Sequence, residues 1–223
     1  VRWQPDHPLE TTGQRSHLPP HGKRHPCQPR PDWRERVARL KCRALHVDQE
    51  YITEALVAEV HAAGIAIAGI DVGESYGSPA GRALFSAFHD EMHRHRGFSA
   101  RPVLLARSRG GLMTLNWAAE NPTKVAAFAG IYPVCNLTSY PGLEKAAPAY
   151  ALTPAALSAS LTAHNPIDRL APLAAARVPL FAIHGDVDKL VPLDANSGLV
   201  RIRRGTTTAT IFGGSDWSAR SED

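Results

Sequence analysis

The sequence predicts an α/β fold in which a mostly parallel sheet is flanked by helices. Short runs of apolar and β-branched residues alternate along the chain with longer segments that have helical spacing. Most of these segments are bounded by glycine, proline or asparagine, which end regular structure. Strands that alternate with helices pair in parallel, because each right-handed crossover returns the chain to the sheet in the same direction.

Four segments have the features of strands buried in such a sheet, being short and rich in Val, Ile, Leu, Ala and Phe, and a fifth is rich in the β-branched residues Thr and Ile. These predicted strands lie at 65–70, 102–106, 125–131, 179–184 and 206–212. Apolar residues at helical spacing predict helices between several of them. The predicted helices lie at 51–63, ending at Gly64, at 81–95, and at 110–120, ending at Asn121-Pro122.

The two remaining long segments predict the domain organisation. Residues 1–32 hold seven prolines and four histidines without an apolar period, so we expect a disordered arm there, and residues 33–223 to form the domain. Residues 136–172 are too long for a simple crossover and contain helix-like stretches interrupted by prolines. This insertion predicts a short cap or lid over a pocket.

Composition argues against several classes of protein. No run approaches the ~20 consecutive apolar residues of a membrane-spanning helix, and no signal peptide is visible, so we expect a cytoplasmic protein. The cysteines, Cys27, Cys42 and Cys135, are scattered and predict neither a disulfide framework nor a zinc site. The net charge of +4 lies in the first fifty residues, mixed with acids and prolines, so nucleic-acid binding is only a third hypothesis.

Two segments match the pattern small-x-Ser-x-Gly, which is typical of a sharp strand-to-helix turn that exposes a serine nucleophile. One is Gly73–Gly77 (GESYG), centred on Ser75, and the other is Ala106–Gly110 (ARSRG), centred on Ser108. The small residues let the backbones of strand and helix approach closely. The pattern is short enough to arise by chance, so the flanking residues must decide between the two.

The flanking residues favour Ser108 as the nucleophile. It directly follows the predicted strand 102–106 and precedes the predicted helix 110–120. Ser75 is followed by Tyr-Gly-Ser-Pro, which predicts a loop before the next helix. Ser75 therefore stands as the alternative nucleophile.

A second polar segment follows the predicted strand 179–184, two strands beyond the one that leads to Ser108. It reads His-Gly-Asp-Val-Asp-Lys-Leu-Val-Pro and contains the carboxylates of Asp186 and Asp188. Parallel α/β sheets place their functional groups at the carboxyl ends of strands. A carboxylate at this place can orient an imidazole and stabilise its charged form.

Residues from about 62 to 200 resemble bacterial α/β hydrolases related to the prolyl-oligopeptidase and dienelactone-hydrolase group. The resemblance rests on Ser-Arg-Gly-Gly at 108–111, Asn-Trp-Ala-Ala-Glu-Asn-Pro at 116–122 and His-Gly-Asp-x-Asp-x-x-Val-Pro at 184–192. It implies an α/β-hydrolase-like fold with Ser108 as the catalytic nucleophile and Asp188 as the catalytic acid. It also implies that the backbone N–H of Arg109 donates to the oxyanion.

The catalytic histidine of this family is not identified by the sequence. In the family it lies on a glycine-rich loop after the last strand, but here that loop reads Gly-Gly-Ser-Asp-Trp, and no histidine follows His184. A histidine base would therefore come from an earlier part of the chain, and those of the arm are favoured. We expect the histidines near the helix at 81–95 to lie on the surface: His89, His93 and His95.

The sequence thus supports two hypotheses. The first is a serine hydrolase of the esterase or lipase type, in which Ser108 attacks the acyl carbon of a small carboxylic ester. The second is a catalytically impaired binding protein with the same fold, which lacks the histidine. We favour the first and expect no cofactor, no metal and no nucleic-acid partner. We also expect slow turnover, because removing the base from a catalytic triad costs several powers of ten in rate.

Overall fold

The computed structural model describes residues 59–204 and four short strands outside that range, with side chains described for residues 59–200. The strands are β1 (Arg2–Gln4), β2 (His7–Glu10), β3 (Ala44–His46), β4 (Ile67–Ile70), β5 (Val103–Arg107), β6 (Ala127–Ile131), β7 (Leu180–Ile183) and β8 (Ala209–Phe212). They form one sheet in the order β2-β1-β4-β3-β5-β6-β7-β8. Only β2 pairs antiparallel to its neighbour, so the carboxyl ends of β3 to β8 meet along one edge.

The helices pack on this sheet or form the connections between strands. They are α1 (Pro79–Asp90), α2 (Gly110–Glu120), α3 (Leu143–Ala146), α4 (Pro154–Ala159), α5 (Leu161–His164), α6 (Ala171–Ala175) and α7 (Ser197–Arg204). Residues 59–62 are also helical, and a π-helical turn, Glu91–His95, extends α1. Shorter 3₁₀ turns occur at Pro122–Lys124, Ala147–Tyr150, Pro166–Asp168 and Leu193–Ala195. No helix in the described part of the chain is long and apolar enough to cross a membrane.

The predicted fold class is confirmed, since a mostly parallel sheet is flanked by helices. All five predicted strands are present as β4 to β8, each shifted or shortened by at most three residues. Helix α2 has the predicted bounds, and α1 begins two residues earlier than predicted because Ser78 caps it. The Ser78 side chain accepts a hydrogen bond from Gly81 N, and Pro79 occupies the first helical position, where its missing N–H costs nothing. For the predicted helix 51–63, residues 51–58 lie outside the described residues.

Three strands come from the part of the chain where we expected none. Arg2–Gln4 and His7–Glu10 lie in the segment expected to be a disordered arm, yet they pair at one end of the sheet. The edge position accommodates Pro8, because an edge strand has a side that needs no N–H donor. Ala44–His46 lies between β4 and β5. A three-residue strand is too short for its alternation to be recognised in the sequence.

The main core lies between the sheet and helices α1 and α2. Every residue of α2 except Glu120 is buried, so this helix lacks the polar face of a surface helix. His89 of α1 is also buried, which corrects the expectation that it lies on the surface. Its ring packs on Trp117, with centroids 5.6 Å apart, and Nε2 hydrogen-bonds to Ala100 O at 2.8 Å. His93 and His95 are exposed, as expected.

A second, smaller apolar cluster joins the predicted cap segment, residues 136–172, to the rest of the fold. Leu157 of the cap segment is fully buried in this cluster. The cluster also contains Leu112 of α2 and Val191, which lies beyond β7. Three other leucines of the cap segment are partly buried against it: Leu143, Leu152 and Leu161.

Candidate active site

Ser108 occupies the sharp turn between β5 and α2. Its φ is +48°, a left-handed conformation that is uncommon for a residue with a side chain. The turn is held from both sides, because Ser108 N donates to Ile131 O at 3.0 Å and Ser108 O accepts from Val134 N at 2.7 Å. The serine is partly exposed. The predicted sharp turn is therefore present with a strained backbone, and it lies at the carboxyl edge of the sheet.

Small residues around Ser108 permit the close approach that the turn requires. Ala106, two residues before the serine, is fully buried. A Cβ atom added to Gly111 would approach Val134 O and Pro133 Cβ more closely than real Cβ atoms do, so the start of α2 lies directly on the chain that follows β6. Packing against the chain after β6 thus explains why glycine stands at position 111 of the Ser-Arg-Gly-Gly motif.

Ser75, the alternative nucleophile, lies in a different environment. It is 8% exposed, and its Oγ is buried and makes no hydrogen bond within the described part of the chain. The Oγ faces the start of α1, since a Cβ on Gly81 would lie 2.5 Å from it. A buried hydroxyl pressed against a helix is not available to a substrate, so the geometry favours Ser108.

Asp188 lies in the loop that follows β7, which we call the acid loop (residues 184–192). Its Oδ1 accepts hydrogen bonds from Leu190 N at 2.9 Å and Val191 N at 2.8 Å. These bonds fix the orientation of the carboxylate. The Asp188 side chain is 24% exposed. Asp186 of the same loop is exposed, whereas Asp188 is partly buried.

His184 adjoins Asp188 but is part of the fold's interior. It is 1% exposed, and its Nε2 donates to Val191 O at 2.6 Å because a carbonyl oxygen can only accept. Nδ1 then accepts from the Ser197 hydroxyl at 2.8 Å. With both nitrogens occupied and Asp188 Oδ2 4.0 Å away, this imidazole supports the acid loop and cannot act as the base for Ser108.

The other histidines with described side chains do not supply the base either. Within residues 59–200, no hydrogen bond joins Ser108 to an imidazole. His164, in the cap segment, stacks edge-on against Tyr150 with centroids 5.0 Å apart. Burial, followed by the nearby guanidinium groups of Arg82 and Arg169, lowers the pKa of His164 below its usual value. The arm histidines and the loop 213–217 lie outside the described side chains.

Asn196 joins the acid loop to the chain that follows β6. It is fully buried, and its Oδ1 accepts from Cys135 N at 2.9 Å and Asn136 N at 3.2 Å. Its Nδ2 donates to Pro192 O and Ser139 Oγ, both at 2.9 Å. A single side chain thus satisfies four polar groups and fixes the acid loop relative to the segment beside Ser108.

A further loop, Gly73–Gly77, approaches Arg109, the residue after Ser108. Glu74 Oε1 lies 3.2 Å from Arg109 Nη2. Tyr76 is buried with a φ of +46°, which costs a side-chain-bearing residue roughly 1–2 kcal/mol. Burial, followed by its hydrogen bond to Glu74, raises the pKa of the Tyr76 hydroxyl to about 12. We call residues 73–77 the GESYG loop.

Sequence reasoning missed the polar side chains that hold these loops together. Asn116 donates to Gly77 O at 3.3 Å and His164 O at 2.8 Å, and accepts from Arg169 Nη1 at 2.8 Å. The sequence did contain a signal for Asn116. It stands in the middle of a largely apolar helix, where asparagine is unfavourable unless its side chain has hydrogen-bond partners. Asn196 gave no such signal, because it lies in an irregular segment.

The sheet order, the strand-to-helix turn at Ser108 and the acid loop after β7 together define the α/β-hydrolase fold. Known structures agree. The chain is similar to dipeptidyl peptidase 4 of Porphyromonas gingivalis, with a TM-score of 0.60, 16% identity, and coverage of 78% of this chain and 27% of that one. It is similar to MPT51 of Mycobacterium tuberculosis, with a TM-score of 0.60, 12% identity, and coverage of 78% and 81% respectively.

A third similar structure is Est1E of Butyrivibrio proteoclasticus, with a TM-score of 0.56, 18% identity, and coverage of 78% of this chain and 77% of that one. The chain thus spans about a quarter of the dipeptidyl peptidase but most of the two shorter proteins. No protein-family model matches the chain, and no curated protein matches it. At these identities the similarity establishes the α/β-hydrolase fold.

Proposed function

We propose that this protein is a serine hydrolase that acts on small carboxylic esters and is related to the prolyl-oligopeptidase and dienelactone-hydrolase group. The observation that carries the proposal is Ser108, partly exposed in a left-handed turn at the carboxyl edge of the sheet. Such a turn presents the hydroxyl to a substrate and places it at the start of a helix. The family motifs around Ser108 and Asp188 support the same assignment.

In this mechanism the Ser108 oxygen attacks the acyl carbon of the ester while a general base takes the hydroxyl proton, and the ester C–O bond then breaks as the alcohol leaves with that proton. Water hydrolyses the resulting acyl-enzyme, which releases the carboxylic acid and restores the Ser108 hydroxyl. The backbone N–H of Arg109, the first residue after the nucleophile, would stabilise the negatively charged tetrahedral intermediate. The positive end of the helix dipole of α2 would act in the same direction.

Asp188 would orient the general base. Its Oδ1 is bound to two backbone N–H groups, and within residues 59–200 its Oδ2 makes only the long contact to His184. This oxygen can therefore accept an imidazole N–H from a histidine whose side chain is not described. A histidine base makes the rate fall as the pH drops below about 6.5, because the protonated ring cannot accept the serine proton.

The test is hydrolysis of short-chain p-nitrophenyl esters by the wild-type chain and by two single variants. Ser108→Ala should abolish turnover and labelling by a fluorophosphonate probe. Ser75→Ala should retain both, since the Ser75 Oγ is buried away from substrate. Retained turnover and labelling in Ser108→Ala would show that another residue is the nucleophile.

The catalytically impaired binding protein is the alternative that this experiment separates. One observation favours it: within residues 59–200, no imidazole lies in hydrogen-bond contact with Ser108. A wild-type chain that neither hydrolyses esters nor reacts with the probe would establish that alternative and exclude the hydrolase.

A further inference from the structure

The GESYG loop is held by side chains from three different parts of the fold. Tyr150, in the cap segment, donates from its hydroxyl to Tyr76 O at 2.8 Å. The next carbonyl, that of Gly77, accepts from Arg82 Nη1 at 2.6 Å and Asn116 Nδ2 at 3.3 Å. Two successive peptide groups of the loop are thus fixed by buried donors.

These bonds act where the backbone is most restricted. Tyr76 has a φ of +46° and Gly77 a φ of +81°, so two consecutive residues are left-handed. A Cβ on Gly77 would collide with Leu112 O and Asn116 Nδ2, which shows that the loop lies directly on α2. A strained segment persists only when its surroundings determine its conformation. The cap segment helps to hold this conformation through the hydrogen bond of the Tyr150 hydroxyl to Tyr76 O.

The restrained loop reaches the residue that follows the nucleophile. The carboxylate of Glu74 lies 3.2 Å from the Arg109 guanidinium. Glu74 stands two residues before Tyr76 in the same loop, so a displacement of Tyr76 would move Glu74, and through it the first residue after Ser108. The connection runs from the cap segment to the loop through the bond of the Tyr150 hydroxyl to Tyr76 O, and from the loop to the turn at Ser108 through the ion pair of Glu74 with Arg109.

We propose that Tyr150 is a positioning residue for hydrolysis at Ser108, acting through the GESYG loop and the ion pair between Glu74 and Arg109. This inference rests on the proposed function, because it assigns Tyr150 a role in that reaction. Tyr150 does not contact the reacting atoms. It fixes the loop that holds Arg109, whose backbone N–H is the proposed donor to the oxyanion.

Tyr150→Phe is the direct test, because it removes the hydroxyl and leaves the buried ring in place. We expect kcat for ester hydrolysis to fall roughly tenfold while KM changes less than about twofold, since misplacement of catalytic groups lowers the rate more than it weakens binding. The matched control is Ser160→Ala. Within residues 59–200 the Ser160 hydroxyl bonds only to Ala156 O and Leu157 O, both in the cap segment, so its loss should leave kcat unchanged.

Glu74→Gln tests the contact between the loop and Arg109, and because Glu74 is exposed, the substitution should leave the fold intact. It should lower kcat to a similar degree. The double variant should be no worse than either single variant, because both act through Arg109. An unchanged kcat in Tyr150→Phe or in Glu74→Gln would overturn the proposal.

Hydrogen exchange separates this proposal from the proposed function. The amides of the GESYG loop should exchange faster in Tyr150→Phe than in wild type, and Ser160→Ala should leave them unchanged. An active wild type with unchanged loop exchange in Tyr150→Phe would refute the role of Tyr150 alone. A wild type without activity would refute the hydrolase, and with it any catalytic role of Tyr150, even if the loop were loosened.

Discussion

Replacement of Asn196 by alanine should destabilise the protein and displace the acid loop. The substitution leaves the N–H groups of Cys135 and Asn136 buried without their acceptor, and each such group costs about 1–3 kcal/mol. We therefore expect the free energy of unfolding to fall by about 2–6 kcal/mol. This is a large fraction of the ~5–15 kcal/mol that is typical of a domain.

Urea denaturation followed by tryptophan fluorescence measures this loss, because Trp117 is fully buried in the core. The control is Asp194→Ala, an exposed position in the 3₁₀ turn Leu193–Ala195 that immediately precedes Asn196, which should change the free energy by less than about 0.5 kcal/mol. A loss below about 1 kcal/mol in Asn196→Ala would mean that water or a rearranged loop replaces the lost acceptor. The inference that Asn196 fixes the acid loop would then be wrong.

Three further predictions concern Gly111, Leu157 and His164. Gly111→Ala should destabilise the protein by about 1–3 kcal/mol in thermal or urea unfolding and reduce probe labelling of the nucleophile, because the added Cβ pushes α2 away from the chain after β6. Leu157→Ala should cost about 2–5 kcal/mol in urea unfolding, since this side chain is fully buried, whereas Leu190→Ala, at 67% exposure, should cost almost nothing. Equal losses in the two leucine variants would contradict the packing of the cap segment. The lowered pKa of His164 means that the unfolded chain binds its proton more readily, so stability should fall as the pH drops below about 6.5, and His164→Gln should make this fall less steep. Identical pH profiles of unfolding free energy in the two proteins would refute that assignment.

The parallel sheet could be predicted because its strands are short, continuous apolar runs, which are visible in the sequence without knowledge of the fold. Their burial is less uniform than such runs suggest, since one face of β5 and β6 is only partly buried and one face of β7 is exposed. The turn at Ser108 could be predicted for a similar reason. Close packing of the strand against the helix requires small residues at fixed sequence positions before and after Ser108, and this requirement involves only residues that are neighbours in the chain.

The short strands near the N-terminus could not be predicted in this way. Ala44–His46 contributes three residues to the sheet, and its pairing with β4 and β5 is what makes it a strand. The same holds for the burial of His89, which depends on contact with Trp117 from another helix. Local sequence carries little information about partners that are distant along the chain.

The sequence by itself determined the fold class, the serine at the strand-to-helix turn and the loop that carries Asp188, since each depends on residues that are neighbours in the chain. The tertiary structure alone showed that the Ser75 Oγ is buried and that both ring nitrogens of His184 are hydrogen-bonded. It also brought Tyr150 onto the carbonyl of Tyr76, which lies 74 residues earlier in the chain. The physical reason is that a hydrogen bond or a buried contact between distant residues forms only when the packed chain brings them together, whereas propensity and periodicity act within a few residues.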